Sequence, residues 1–259
     1  MQFGMPTLIE LDGLPSCVKL CKELGLDFIE LNMNLPEYQT NMLDIGTLNK
    51  IRKTEGIYFT IHLDENLNVC DFNPLVADAY MSTVLHTVEI AKKISAPVLN
   101  MHMAKGVYFT LPDHKEFLFS RYRNAYLNTL RRFRDSCDHA AAVSGIKICI
   151  ENTNGYPDFV REGIELLLES NCFALTLDTG HSFCAGGVDE PFILAHVNRL
   201  CHMHLHDAAG SNDHLPLGTG ALPLEKYRKL AQRNGCRVVL ETKTAGGLRE
   251  SVQNLNRLI

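Results

Sequence analysis

No two cysteines in this chain are spaced Cys-x-x-Cys, and the nine cysteines are odd in number, which excludes a fully paired disulfide framework and the common thiolate zinc knuckles. Most sit in apolar runs such as Ile148-Cys149-Ile150 and read as buried thiols of a protein kept in a reducing cytoplasm. Cys17 and Cys21, four apart, are expected to pack on one helix. No basic stretch precedes an apolar run of signal length, and no apolar run is long enough for a bilayer, so neither a targeting peptide nor a membrane span is expected. Positive charge is not in excess either. Lys and Arg number 25 against 30 Asp and Glu, a net charge of −5, which provides no general attraction for a phosphate backbone. No linker rich in Pro, Gly or Ser divides the chain, so residues 1–259 are expected to form one domain. No Gly-rich phosphate fingerprint follows the first strand, which weighs against a doubly wound open sheet.

What is present is alternation. Short β-branched apolar runs, at 2–5, 27–31, 56–63, 97–103, 146–152, 173–178, 200–206 and 237–242, are separated by amphipathic segments, of which 74–95 and 114–143 are the longest. Glycines at 25, 56, 145 and 235 stand where helices should end. Repeated strand and helix units with short connections imply a parallel sheet. Eight of them in 259 residues imply a closed (β/α)₈ TIM barrel of the α/β class.

Strand periodicity then sorts side chains into those facing the barrel axis and those facing the helices. In 146–152, Ile146, Ile148 and Ile150 form the helix-facing set, which turns Lys147, Cys149 and Glu151 inward. The same reading turns inward His62, His102, Asp178, His204 and Glu241, each at the C-terminal end of its strand, where barrels carry their active sites. His181 and His214 lie on loops just above. A lone inward histidine is more often a hydrogen-bonded core residue than a ligand, and a lone strand-end carboxylate more often caps the next helix. Together they read differently. Several carboxylates crowded at one barrel mouth repel and desolvate one another unless a cation joins them, and carboxylates with imidazoles suit zinc, manganese or iron. The run Cys201-His202-Met203-His204-Leu205-His206-Asp207 raises a choice of its own. His202, His204 and His206 share a strand face. His202 should lie a layer lower in the barrel packing, His204 should meet the metal, and His206 should contact substrate or support a ligand.

The motifs Ile150-Glu151-Asn152-Thr153, Leu177-Asp178-Thr179-Gly180-His181, His204-Leu205-His206-Asp207, His214-Leu215-Pro216-Leu217-Gly218-Thr219-Gly220 and Leu240-Glu241-Thr242 resemble, in order, those of the xylose isomerase-like barrels. That superfamily joins sugar and sugar-phosphate isomerases and epimerases with the endonuclease IV type of abasic-site nuclease. The resemblance implies one divalent metal held by Glu151, Asp178, His204 and Glu241. Its nuclease branch implies a second zinc on His62 and His102 sharing Glu151, and a third on His181 with an Asp-x-His pair at His214. Here the chain departs from the pattern, because Asn212 stands two before His214 and Asp213 is directly adjacent.

Two functions follow. The first is a metal-dependent sugar or sugar-phosphate isomerase or epimerase with a small-molecule carbohydrate substrate. The resemblance to ketose epimerases makes Glu151 and Glu241 its acid and base, the metal lowering the cost of an enediolate. His181, His206 and His214 would contact the substrate. Lys105 and Lys243 would steady an oxyanion or grip a phosphate, although a solvated surface charge is the commoner fate of a lysine. Gly218-Thr219-Gly220 could offer amides to a phosphate or serve only a turn. The second function is a zinc-dependent nuclease acting at abasic sites, with nucleic acid as partner. His62 and His102 favour it, while the acidic loop Asp64-Glu65 with Asp71 opposes it. The basic run Arg121, Arg123, Arg131, Arg132 and Arg134 is expected on an outer helix rather than at the mouth. A barrel that merely binds sugar would not require both glutamates. The loop Val107-Tyr108-Phe109 suits closure over a substrate as well as contact in a homo-oligomer.

Overall fold

The computed structural model describes residues 1–258. Eight parallel strands close a barrel: β1 (Gln2–Pro6), β2 (Phe28–Asn32), β3 (Tyr58–His62), β4 (Val98–His102), β5 (Lys147–Glu151), β6 (Phe173–Asp178), β7 (Leu200–Leu205) and β8 (Arg237–Leu240). Closure is made by β1 against β8, with Gln2 opposite Arg237 and Gly4 opposite Val239. Each strand falls within one or two residues of its expected span. The long segment expected at 114–143 is corrected at its start: Lys115–Phe117 pairs with Tyr108–Thr110 as an antiparallel ribbon, and the long helix runs only from Arg123 to Ala141. The aromatic residues around 108 and 117 favour the extended ribbon, where their rings pack across the pair.

Local chemistry explains the helices. The helix Pro74–Ile94 opens with Pro74 at its first position and with the Asn73 side chain accepting from the Leu75 amide at 3.1 Å. Its buried residues, among them Ala77, Met81, Val84, Val88 and Ala91, recur every three or four positions and face the barrel. The helix Asp158–Leu168 approaches its neighbour at Gly163, where an added Cβ would lie 2.6 Å from the Tyr126 hydroxyl.

Two interiors result. The main apolar core lies between strands and helices and contains Ile148 and Ile150, the expected helix-facing residues of β5. Inside the barrel, a small apolar plug of Val98, Cys149 and Ala174 sits low, with Cys201 against it. Above that plug the interior turns polar. An irregularity in the β6–β7 pairing, between Leu175 opposite Leu200 and Thr176 opposite His202, inserts Cys201 as an extra residue and sets the phase that points His202 and His204 to the axis. All nine cysteines are free thiols, seven of them buried, including the Cys17 and Cys21 pair on one helix. No helix among the described residues is long and apolar enough to cross a membrane.

Candidate metal centre

Glu151, Asp178, His204 and Glu241 stand at the C-terminal tips of β5, β6, β7 and β8, four successive staves of the barrel. Each offers one donor atom, and these atoms lie within 4.8 Å of one another. His204 Nδ1 is the common point, 2.8 Å from Glu241 Oε2, 3.4 Å from Glu151 Oε1 and 3.8 Å from Asp178 Oδ2. Glu151, Asp178 and His204 are fully buried, while the Glu241 side chain keeps a 17% opening to the mouth. Asp178 does two jobs. Its Oδ1 caps the short helix Thr179–Cys184 by accepting from the His181 amide at 2.7 Å, and its Oδ2 faces the cluster.

These groups are charged against the cost of burial. Burial raises the Glu151 and Glu241 carboxyls, but neighbouring His204 outweighs it and holds both well below the ordinary carboxylate range, with His102 adding to the effect at Glu151. Burial lowers the His204 imidazole, but Glu151, Glu241 and Glu30 raise it well above its usual value. His62 and His181 are likewise lowered by burial, yet their contacts with Glu151, and for His181 also Asp178, raise each to about 9.

The donor set fits a divalent metal. Three carboxylates and an imidazole at one point match the oxygen and nitrogen preference of zinc, manganese or iron. Several buried atoms here also lack an aligned hydrogen-bond partner: His204 Nδ1, Glu241 Oε2, His181 Nδ1 and His214 Nε2. Each His204 nitrogen lies 2.8 Å from a carboxylate oxygen, Nδ1 from Glu241 Oε2 and Nε2 from Glu30 Oε1, and neither is aligned for a hydrogen bond.

His62 and His102 arrive from β3 and β4, each with Nε2 3.3 Å from Glu151 Oε2. The Leu63 carbonyl, 2.7 Å from His62 Nδ1, accepts its proton and leaves Nε2 toward the glutamate. His181, His206 and His214 form a second constellation beside the first. His214 Nε2 is 3.4 Å from Glu241 Oε1, and Asp213 lies 2.7 Å from His214 Nδ1 and 3.8 Å from His181 Nε2. The acid adjacent to His214 thus reaches both histidines.

Expected substrate contacts divide. His181 and His214 border the mouth, whereas His206 makes no substrate contact and takes its other expected part, support of a ligand: it has no exposed surface, and both its ring nitrogens are engaged. Its Nδ1 accepts from the His214 amide at 2.7 Å, so its Nε2 carries the proton and donates to Asp178, whose two oxygens are each 3.0 Å away. Of the two readings for Gly218 to Gly220, the turn holds and the phosphate cradle does not. Both glycine amides donate to buried Asp207 Oδ2 at 2.9 Å, and Asp207 Oδ1 takes the Ala208 and Leu222 amides. The loop amides are spent on Asp207. Lys243 is largely exposed, 3.9 Å from Glu241 Oε1, while Lys105 is tied to Asn154 on the loop after β5. Between the tips of β1 and β8, Leu8, Ile9 and Leu35 with Glu241 and Lys243 line an open cleft.

Sequence reading missed Glu30. Only 2% exposed, it lies 2.8 Å from His204 Nε2 and 2.9 Å from His202 Nε2, and accepts from the Thr60 hydroxyl at 2.8 Å. Burial raises its carboxyl, but His204 and His202 override this and hold it far below the usual range. The alternation that found Glu151 was sufficient here too, since Ile29 and Leu31 flank Glu30 and face the helices. Asn100 and Thr176 extend the polar layer, Thr176 donating to Asn100 Oδ1 at 2.5 Å and Asn100 to Glu151.

A sequence model of the xylose isomerase-like TIM barrel matches residues 18–258. The chain belongs to that family. Among structures of similar fold are a D-tagatose 3-epimerase-like protein (TM-score 0.78, 23% identity, 100% of this chain and 96% of that one) and 3-keto-D-glucoside 4-epimerase YcjR of E. coli (0.78, 14%, 100% of both). The IolI protein with a zinc atom aligns at TM-score 0.75 and 17% identity over 99% and 96%. An uncharacterized protein of Methanocaldococcus jannaschii is 22% identical over 88% of this xylose isomerase-like chain and 83% of its own. At such identities the structural likeness is one of fold.

Proposed function

We propose that this xylose isomerase-like barrel is a divalent-metal-dependent sugar isomerase or epimerase that moves a proton next to a ketose carbonyl through an enediolate. One observation carries the reading: Glu151 and Glu241 end an arc of four successive strands and both reach His204 Nδ1. Two carboxylates so placed address a bound carbon from two directions, as removal and return of a proton require. Glu151, Asp178, His204 and Glu241 would hold the metal, which supplies Lewis-acid stabilisation of developing oxyanion charge when bound. Glu151 and Glu241, both held as carboxylates, are each placed to accept the proton, and the carboxylic acid so formed would give it back to the enediolate. His181 and His214 orient hydroxyls at the mouth, and the cleft beside Lys243 takes the remote end of the sugar. The 3-keto-D-glucoside 4-epimerase and the D-tagatose 3-epimerase-like protein of similar fold support this choice of substrate class.

His62 and His102, both 3.3 Å from Glu151 Oε2, favour a second reading as a zinc-dependent abasic-site nuclease. The charge distribution weighs against it. Arg123, Arg132 and Arg134 lie on the outer helix and pair with Glu162, Asp78, Asp135 and Glu169 rather than facing a DNA backbone. Metal analysis of the purified protein, with assays on a ketose panel and an abasic duplex, separates the two. Ketose interconversion dependent on manganese, zinc or a similar ion supports the first; duplex cleavage with three zincs per chain and inert ketoses overturns it.

A further inference from the structure

Below the four donor residues, at the level where a barrel usually packs branched aliphatic side chains, Glu30 of β2 bridges two imidazoles from the opposite side of the axis. Its Oε1 meets His204 Nε2 at 2.8 Å, and its Oε2 takes both His202 Nε2 at 2.9 Å and the Thr60 hydroxyl at 2.8 Å. A fully enclosed carboxylate is costly unless its lone pairs are met, and here the partners come from two strands, β3 and β7. A plain packing role would have been served by a leucine. The carboxylate leaves one consequence for the ring above it. With Nε2 turned to Glu30 Oε1, the His204 ring directs Nδ1 toward Glu151, Asp178 and Glu241.

We infer that Glu30 is a positioning residue that fixes the orientation of the His204 ring, making Nδ1 the donor nitrogen. The inference rests on the metal-dependent reading above and adds to it a residue that touches neither metal nor substrate. His202 acts as the brace: it holds the second oxygen of Glu30, so the carboxylate cannot rotate away from His204. Outer carboxylates of this kind raise ligand basicity, and their removal typically weakens metal binding by about 10–100-fold.

The test is metal affinity, measured by chelator competition with zinc and with cobalt on full-length Glu30→Gln, together with the cobalt absorption spectrum and the imidazole ¹⁵N shifts of His204 in zinc-loaded protein, which identify the nitrogen bound to the metal. Glu30→Gln is nearly isosteric, and Thr60→Val, which removes only the hydroxyl donated to Glu30, serves as a milder second variant. The expected result is a folded Glu30→Gln protein binding roughly 10–100-fold more weakly, with a displaced cobalt spectrum and ¹⁵N shifts showing that Nδ1 is no longer the sole zinc-bound nitrogen of His204, and Thr60→Val between it and wild type. Unchanged affinity and unchanged ¹⁵N shifts in Glu30→Gln overturn the inference. Should Glu30→Gln fail to fold, Thr60→Val decides in the same way by the same two measurements. A wild-type protein that binds no divalent metal overturns the metal-dependent reading and with it this role for Glu30, whereas wild-type binding left unchanged in Glu30→Gln overturns the role of Glu30 alone.

Discussion

Glu151 touches His62, His102, His181 and His204 while accepting from Asn100. Glu151→Gln preserves shape but removes the proton acceptor. Exchange of the substrate proton into solvent, followed by deuterium uptake, should fall at least about 100-fold while the circular dichroism spectrum is unchanged; exchange at the wild-type rate would remove Glu151 from the acid/base role. Gly180 presents a different kind of constraint. A Cβ there would lie 2.1 Å from His206 Cε1, so Gly180→Ala must push away the ring that holds Asp178. Zinc affinity should drop severalfold or more, which chelator competition would measure, and wild-type affinity would show that His206 does not need its present position.

At the scale of elements, the barrel strands were legible because alternation and strand length are local properties of sequence, and the inward set of β5, including Glu151, emerged from the same alternation. The ribbon at 108–117 was not, because Lys115, Glu116 and Phe117 fit a helical pattern as well as an extended one and the choice depends on rings meeting across the pair. The roles of His206 and of the Gly218 to Gly220 amides were hidden for a related reason: each is decided by a partner distant in the sequence or by a turn, Asp178 in one case and Asp207 in the other. The loop after β7 depends on Asp207 as its hub. Asp207→Ala would leave four amide donors without their acceptor, two of them on residues that are themselves buried. At about 1–3 kcal/mol for a buried unsatisfied donor, a loss of more than about 3 kcal/mol is expected in denaturant unfolding. A loss below about 1 kcal/mol would show the loop to be held by other contacts.

For the whole molecule, the metal-free site should make stability fall with rising pH. His62 and His181 have imidazoles raised to about 9 in the folded chain, against about 6.5 when unfolded. Folding stabilised by their protonated forms is fully present below about pH 6.5 and is lost as pH climbs through about 9. Chelator-treated protein should therefore show a declining Tm across that window, and the rise in Tm on adding zinc should grow over the same range as protons cease to compete for the site. A metal-free Tm that increases from pH 6.5 to 9 would contradict the raised imidazoles.

The two interiors of the barrel have a consequence for its descent. The apolar core between strands and helices supplies cohesion, while the polar column of Glu30, Thr60, Asn100, Thr176 and His202 contributes little of it and supports the four donors at the rim. A lineage can therefore exchange members of the inner column, one strand tip at a time, and try a new reaction without reinventing the shell that keeps the chain folded. Inheritance of architecture and inheritance of chemistry become separable, which is how barrels of near-identical shape can come to diverge in what they catalyse.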